Sequence, residues 1–194
     1  MEKLHITLKE GQKIFFTSDL HLGHRNVIGF CNRPFVDEKE MNQVILDNIN
    51  STVAENDYLF MLGDIFWFND SHNIKKFFTK VVCKNIYIIP GNHDDFKGYH
   101  RLDEGRVKIC SDIICLFLDK ENDKTIYELW LSHFPMMTWP HRENKKCYHL
   151  FGHIHSGEKR DKSMMDQDLP LHSNQFDVGV DANNFKPMEF DIIK

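Results

Sequence analysis

Short apolar runs recur along the chain, each bounded by polar or turn-forming residues. LHITL, KIFFTS, YLFML, IYIIP, DIICLFL, TIYELWLS, YHLF and FDVGV are rich in Ile, Val, Phe and Tyr and have the length of strands. LHITL and KIFFTS flank Gly11, which predicts a hairpin. DIICLFLDKENDKTIYELWLS predicts a second hairpin with a charged turn. Two segments switch to a helical period. Asp37 followed by Glu40 has the form of a capping box, and Met41, Val44, Ile45, Ile49 and Val53 then recur on one face. Ser71 stands where it would cap a second helix, with Ile74, Phe77, Phe78 and Val81 as its apolar face. Strand and helix alternate in the first half, and the second half is mostly strand. That predicts an α/β or α+β sheet structure with helices outside. The charged segment 158–173 is expected to be a surface loop.

Composition narrows the class. A chain of 194 residues fits one domain spanning 1–194 with a sizeable core. Lys plus Arg is 24 and Asp plus Glu is 29, a net charge of −5. That disfavours attachment to nucleic acid or an anionic membrane through bulk charge. A small anionic substrate stays compatible, because a bound metal reverses the local field. No apolar run is long enough to span a bilayer, and MEKLHITLKEGQK lacks a signal-peptide core. Cys31, Cys83, Cys110, Cys115 and Cys147 are scattered, odd in number and free of C-x-x-C. They are expected to be reduced, mostly buried thiols in a cytoplasmic protein.

The informative fact is where the remaining polar residues fall. Five strand-like runs end in metal-capable side chains. KIFFTS runs into Asp19 and His21, YLFML into Asp64, and IYIIP into Asn92, His93 and Asp94. TIYELWLS runs into His133, and YHLF into His153 and His155. Each cluster alone has an ordinary explanation: G-D and G-N are common in turns, and a lone His after a strand is more often hydrogen-bonded than ligating. Together they are hard to explain as turn chemistry. Open α/β sheets place their sites at the carboxyl ends of strands, so these groups converge if the ends share an edge. In extended chain His153 and His155 would point the same way, as a shared ligand pair or by coincidence. The donor set mixes carboxylate, imidazole and amide oxygen without thiolate, which suits Mn, Fe or Zn in a hydrolytic site. It also exceeds what one tetrahedral ion needs.

The motifs D-x-H, G-D, G-N-H-D, a lone His after a strand and G-H-x-H, in that order, resemble the calcineurin-like metallophosphoesterase superfamily. The flanking text HLGHRNVIGFCNRPF and FDVGVDANNF is similar to a small bacterial and phage branch of predicted phosphoesterases. The resemblance implies a β-sandwich flanked by helices, a four-layer α/β/β/α fold. It implies two divalent transition-metal ions per chain, Mn2+ foremost, with Fe, Zn or Ni as alternatives. Asp19, His21 and His155 would hold one ion, Asn92, His133 and His153 the other, and Asp64 would bridge them. A hydroxide between the ions would attack phosphorus while His93 protonates the leaving-group oxygen.

One departure matters. Many relatives carry a second Asp and an Arg after G-D, whereas here the text is GDIFWF, with Trp67 at the Asp position. Asp94 is the stand-in candidate for orienting His93, and the missing Arg weakens the case for a monoester dianion. Arg25 and His24 follow the first ligand pair and are either phosphate contacts, alongside Asn92, or surface residues. Trp139 either stacks on an aromatic group of the substrate or, as the favoured alternative, fills the core. The expectation is a metal-dependent phosphoesterase acting on a small phosphate ester, a phosphodiester foremost, with nucleotide-derived esters among the candidates. A monoesterase, a nucleotide or oligonucleotide hydrolase, and an inactive binding module of the same fold are the alternatives. No membrane and no large nucleic-acid surface are expected as partners.

Overall fold

The computed structural model describes residues 1–68, 70–94, 99, 102, 105–156 and 171–193. Its strands are β1 Glu2–Leu8, β2 Ile14–Thr17, β3 Tyr58–Leu62, β4 Asn85–Ile89, β5 Val107–Ile109, β6 Ile113–Lys120, β7 Asp123–Ser132, β8 Cys147–Phe151, β9 Gln175–Asp177 and β10 Met188–Glu189. Its helices are α1 Arg25–Phe30, α2 Glu38–Thr52, α3 Ser71–Lys80 and α4 Phe190–Ile193. All eight apolar runs became strands, and both helical periods became helices. Residues 158–170 of the expected surface loop lie outside the described residues.

The strands form two five-stranded sheets, ordered β1-β6-β7-β8-β9 and β10-β2-β3-β4-β5. In the second sheet β2, β3, β4 and β5 run parallel, so their carboxyl ends share one edge. In the first, β7, β8 and β9 are parallel as well. The β6–β7 hairpin forms as expected, with a register shift between Leu118 and Lys120. The β1–β2 hairpin does not. Strand β1 pairs parallel with β6 while β2 pairs with β3 and β10, so the turn at Gly11 carries the chain from one sheet to the other.

Side-chain alternation explains the layers. Ile14, Phe16, Phe60, Leu62 and Ile89 face Ile114, Leu116, Leu129, Leu131 and Leu150 in the core between the sheets. The opposite face of the second sheet, including Phe15, Leu59, Met61, Ile86 and Ile88, packs on Met41, Ile45 and Ile49 of α2 and Ile74 and Phe78 of α3. Outside the first sheet, Cys115, Trp130, Trp139 and Cys147 make a small third cluster. There, the loop carrying Trp139 packs on the outer face of the first sheet. Trp139 is buried, the core-filling outcome.

Capping differs in detail from the sequence expectation. Asp37 caps α2 by accepting from the Lys39 and Glu40 amides, but Glu40 reaches back to the Val36 amide at 2.6 Å rather than to Asp37. Helix α3 is capped by Asp70, whose carboxylate accepts from the His72 amide, and Ser71 is its first residue. Among the described residues no helix is long and apolar enough to cross a membrane.

Candidate metal centre

The two sheets meet where the carboxyl ends of β2, β3, β4, β7 and β8 come together. Gly152, just past β8, lets the chains touch: a Cβ there would run into the side chains of Ser18 and Asp19. A Cβ on Gly91 would strike Asp64. The His153 amide donates to both carboxylate oxygens of Asp19, at 3.0 and 2.9 Å. The Gly152 amide donates to the His133 carbonyl at 2.9 Å.

Asp19, His21 and His155 place ligand atoms within 4.8 Å of one another, and so do Asp64, His133 and His153. Asp64 stands between the groups: one carboxylate oxygen lies 3.6 Å from His21 Nε2 and 3.4 Å from His133 Nε2. Asn92 Oδ1 lies 3.0 Å from the same His133 nitrogen. All seven residues expected to ligate therefore converge, in the grouping the motifs imply.

The backbone differs from the extended chain assumed for the H-x-H motif. Asp19, His21, Asp64, His153 and His155 all have φ between 47° and 73°, in the left-handed region. Strand β8 ends at Phe151, and both histidines project from tight turns beyond it. Asp, Asn and His tolerate this region better than other non-glycine residues, and each such residue still costs about 1 kcal/mol or more. The site thus stores backbone strain at five of the seven residues expected to ligate.

The side chains fit divalent cations. Both ring nitrogens of His21 are buried without a hydrogen-bond partner among the described residues. His133 has acceptors at both ends: Nδ1 donates to the Leu62 carbonyl at 2.8 Å, and Nε2 faces Asn92 and Asp64. Such an imidazole needs a proton or a cation on Nε2. With oxygen and imidazole donors and no thiolate in either group, the set suits Mn, Fe or Zn.

Electrostatics divide the expected ligands, with His21 held neutral and His133 and His155 biased toward the charged form by their acidic neighbours. Burial raises the Asp19 carboxyl to about 6. Burial drives the His21 imidazole down to about 2, keeping it neutral as a ligand must be. Burial opposes ionisation of Asp64, but contacts with His133 and the His93 amide outweigh it and hold the carboxyl at about 2. Burial also opposes a charge on His133, yet its neighbours Asp64 and Asp19 raise it.

Two residues missed at the level of sequence complete the first group. His155 Nδ1 lies 2.6 Å from Asp181 Oδ2, which leaves Nε2 facing Asp19. Asp181 accepts from Nε and Nη2 of buried Arg33, at 2.8 Å each. Arg33 also donates to the backbone carbonyls of Asp19 and Leu20, at 2.7 and 3.0 Å. Burial resists a charge on His155, but Asp181 and Cys31 overcome it and raise the imidazole to about 10. Cys31 Sγ lies 3.5 Å from His155 Nδ1, so this thiol touches the site rather than simply filling space. The only signal for these residues was their place in CNRPF and VGVDANNF, text that belonged to the resemblance without an assigned role.

The remaining expected residues divide. The His93 ring lies 5.5 Å from that of His21 and 4.8 Å from that of Trp67, and its amide donates to Asp64. Asp94 does not face the His93 ring in any hydrogen bond among the described residues. Its carboxylate accepts from the Asp64, Ile65 and Gly91 amides and the Tyr99 hydroxyl, which ties the β3 and β4 loops together. His24 is buried and stacks on Trp67 with ring centroids 3.6 Å apart and an interplanar angle of 7°. Arg25 is exposed and pairs with Glu38 at 3.7 Å.

The chain is 26% identical over 182 residues to an uncharacterized protein of Methanocaldococcus jannaschii, covering 94% of this chain and 89% of the relative. It is 25% identical over 202 residues to the Gene 66 protein of Mycobacterium phage L5, covering 87% and 86%. The crystal structure of a protein of unknown function from Aquifex aeolicus has the same fold, with a TM-score of 0.66, 22% identity and coverage of 94% and 98%. The profile of the calcineurin-like phosphoesterases matches residues 12–178. With that match and two groups of His and Asp that could hold metal, the chain belongs to the calcineurin-like phosphoesterase family, the metal-dependent hydrolases of phosphate esters.

Proposed function

We propose that the protein hydrolyses a small phosphodiester with two divalent ions, Mn2+ foremost, as a single cytoplasmic domain. The observation that carries this reading is Asp64, one carboxylate oxygen of which stands 3.6 Å from His21 and 3.4 Å from His133, between the two ligand groups. Asp19, His21 and His155 would hold one ion, and Asn92, His133 and His153 the other, with Asp64 shared. When bound, the ions supply Lewis acidity and lower the pKa of water near the phosphorus.

The chain's own groups do the rest. His93 borders the ligand cluster through His21 and is solvent-exposed, so it can reach a leaving-group oxygen and donate a proton to it. Asp94 acts at a distance from the chemistry, by fixing the Asp64 and Gly91 backbone. Arg33 and Asp181 fix the His155 tautomer and so its ligating nitrogen. The preference for a diester is supported by Arg33. It is committed to Asp181 and backbone carbonyls, so this buried guanidinium is not placed to hold a monoester dianion. The cytoplasmic assignment is supported by five free cysteines.

The test is hydrolysis of bis-(p-nitrophenyl) phosphate by metal-stripped protein given back Mn2+. Turnover should return with Mn2+, exceed that on p-nitrophenyl phosphate, and fall roughly a hundredfold or more in His93→Asn, on the scale of general-acid contributions. The variant should still bind both ions by elemental analysis. A loss of bound metal in His93→Asn would make it a ligand and overturn its role as the acid.

A further inference from the structure

We infer that an apolar pocket beside the second ligand group receives the ester substituent that stays on phosphorus, and that this substituent is a flat, uncharged ring. The inference rests on the phosphodiesterase reading. The pocket has a volume of about 420 Å³, and Asn92 and His133 form part of its wall, so it opens directly onto expected metal ligands. That volume lies within the range of small-ligand sites. The rest of its wall is mainly Pro90, Ile113, Phe134 and Met136.

Phe134 is the ring that meets the substrate. It is half-exposed, yet its centroid lies 4.5 Å from His153 and 5.0 Å from His133. An aromatic side chain held against two metal ligands with its other side open offers a stacking surface at the reacting centre. The wall is built in advance. Ser132 Oγ donates to the Phe134 carbonyl at 2.7 Å. Buried His149 accepts from the Met136 amide at 3.0 Å, and Gln175 donates to the Met136 carbonyl at 2.9 Å. A wall fixed from three sides loses little entropy when a ligand enters.

Charge selects the occupant. Among the described residues no Lys or Arg lines the pocket, while exposed Asp112 does. A continuing phosphate chain would bring an anion to an uncompensated apolar wall beside a carboxylate, whereas an uncharged ring would bury apolar surface. The position favours the retained group over the leaving group. His93 is not a lining residue and sits instead against Trp67 and His21. The leaving oxygen therefore belongs on the Trp67 side and the retained ester on the Phe134 side.

The test compares phenyl p-nitrophenyl phosphate with methyl p-nitrophenyl phosphate on the Mn2+-loaded protein, so that the leaving group is constant. The phenyl ester should be preferred by about tenfold or more in kcat/KM, the scale of apolar-pocket discrimination. Phe134→Ala should bring the ratio near one by lowering kcat/KM for the phenyl ester more than for the methyl ester. Phe134 is half-exposed, so this truncation spares the cores. A second readout needs no turnover: phenol titrated into the metal-free protein should shift the Met136 methyl resonance, and should not in Phe134→Ala. Turnover of both esters at equal rates with no Met136 shift overturns the pocket and leaves the phosphodiesterase reading intact. A saturable Met136 shift with no turnover of either ester supports the ring site and overturns the diesterase reading.

Discussion

Asp181 shows what a single residue contributes to a site it never enters. Its carboxylate accepts the His155 Nδ1 proton at 2.6 Å and is itself clamped by Arg33. A ligating histidine depends on such a partner for its tautomer and ring orientation, and loss of the partner typically costs ten- to a hundredfold in metal affinity. Asp181→Asn should therefore weaken Mn2+ binding at one of two sites by about tenfold or more while the other site keeps its affinity. Calorimetric titration of the metal-free variant resolves the two, and an unchanged pair of affinities would reduce Asp181 to a packing residue. The seven expected ligands were legible as candidates because they stand at strand ends, and the family resemblance supplied which of those candidates would ligate and which would not. Asp181 and Arg33 were not, since they lie 148 residues apart and meet only in the folded chain. The left-handed backbone at Asp19, His21, Asp64, His153 and His155 was equally hidden. Alternation in the sequence reads as extended chain, whereas the turn geometry comes from tertiary closure.

Element-scale legibility followed length and period. Long apolar runs became strands, but β5 and β10 are only three and two residues long and left no pattern to read. Helix α1 has six residues and no side-chain cap, so it lacked a start signal. The predicted β1–β2 hairpin failed for a different reason. Ile6 and Leu8 of β1 and Ile14 and Phe16 of β2 all face the core between the sheets, from opposite sides. A local alternation gives each strand a buried face but does not say which sheet it joins.

Strand β8 carries an element-scale prediction through His149, which sequence left as ordinary. Its imidazole is buried, accepts from the Met136 amide and donates to the Trp130 carbonyl. Burial lowers it from 6.5 to about 4. Between those values the unfolded chain takes up a proton that the folded chain refuses, so stability falls as pH drops from 6.5 to 4. The full penalty is about 3 kcal/mol. His149→Gln should be less stable at pH 7 by about 1–3 kcal/mol, the cost of a disturbed buried hydrogen bond. Its urea midpoint should then fall less steeply than the wild type's between pH 7 and pH 4. Parallel midpoint curves would exclude His149 as the source of acid sensitivity.

At the scale of the molecule, the ligand groups cross the sandwich. Asp19 and His21 follow β2, and Asp64 and Asn92 follow β3 and β4, all in the second sheet, while His133, His153 and His155 follow β7 and β8 of the first. Each ion would therefore be held by both sheets, at the edge where strained turns and the buried pair of Asp19 and Asp64 oppose closure. Binding to the folded chain alone adds stability in proportion to the logarithm of ion concentration over Kd, about 2.7 kcal/mol per site at a hundredfold excess. Two sites give about 5 kcal/mol. For a chain of this size that corresponds to a rise in Tm of roughly 10–20 °C between metal-stripped and Mn2+-saturated protein. Scanning calorimetry with and without Mn2+ measures it directly. Asp64→Asn, which removes the shared carboxylate, should lose most of that rise. Two ions bound per chain with no change in Tm would mean that the unfolded chain holds them as tightly as the folded one, and a centre assembled only by the meeting of the two sheets would have to be abandoned.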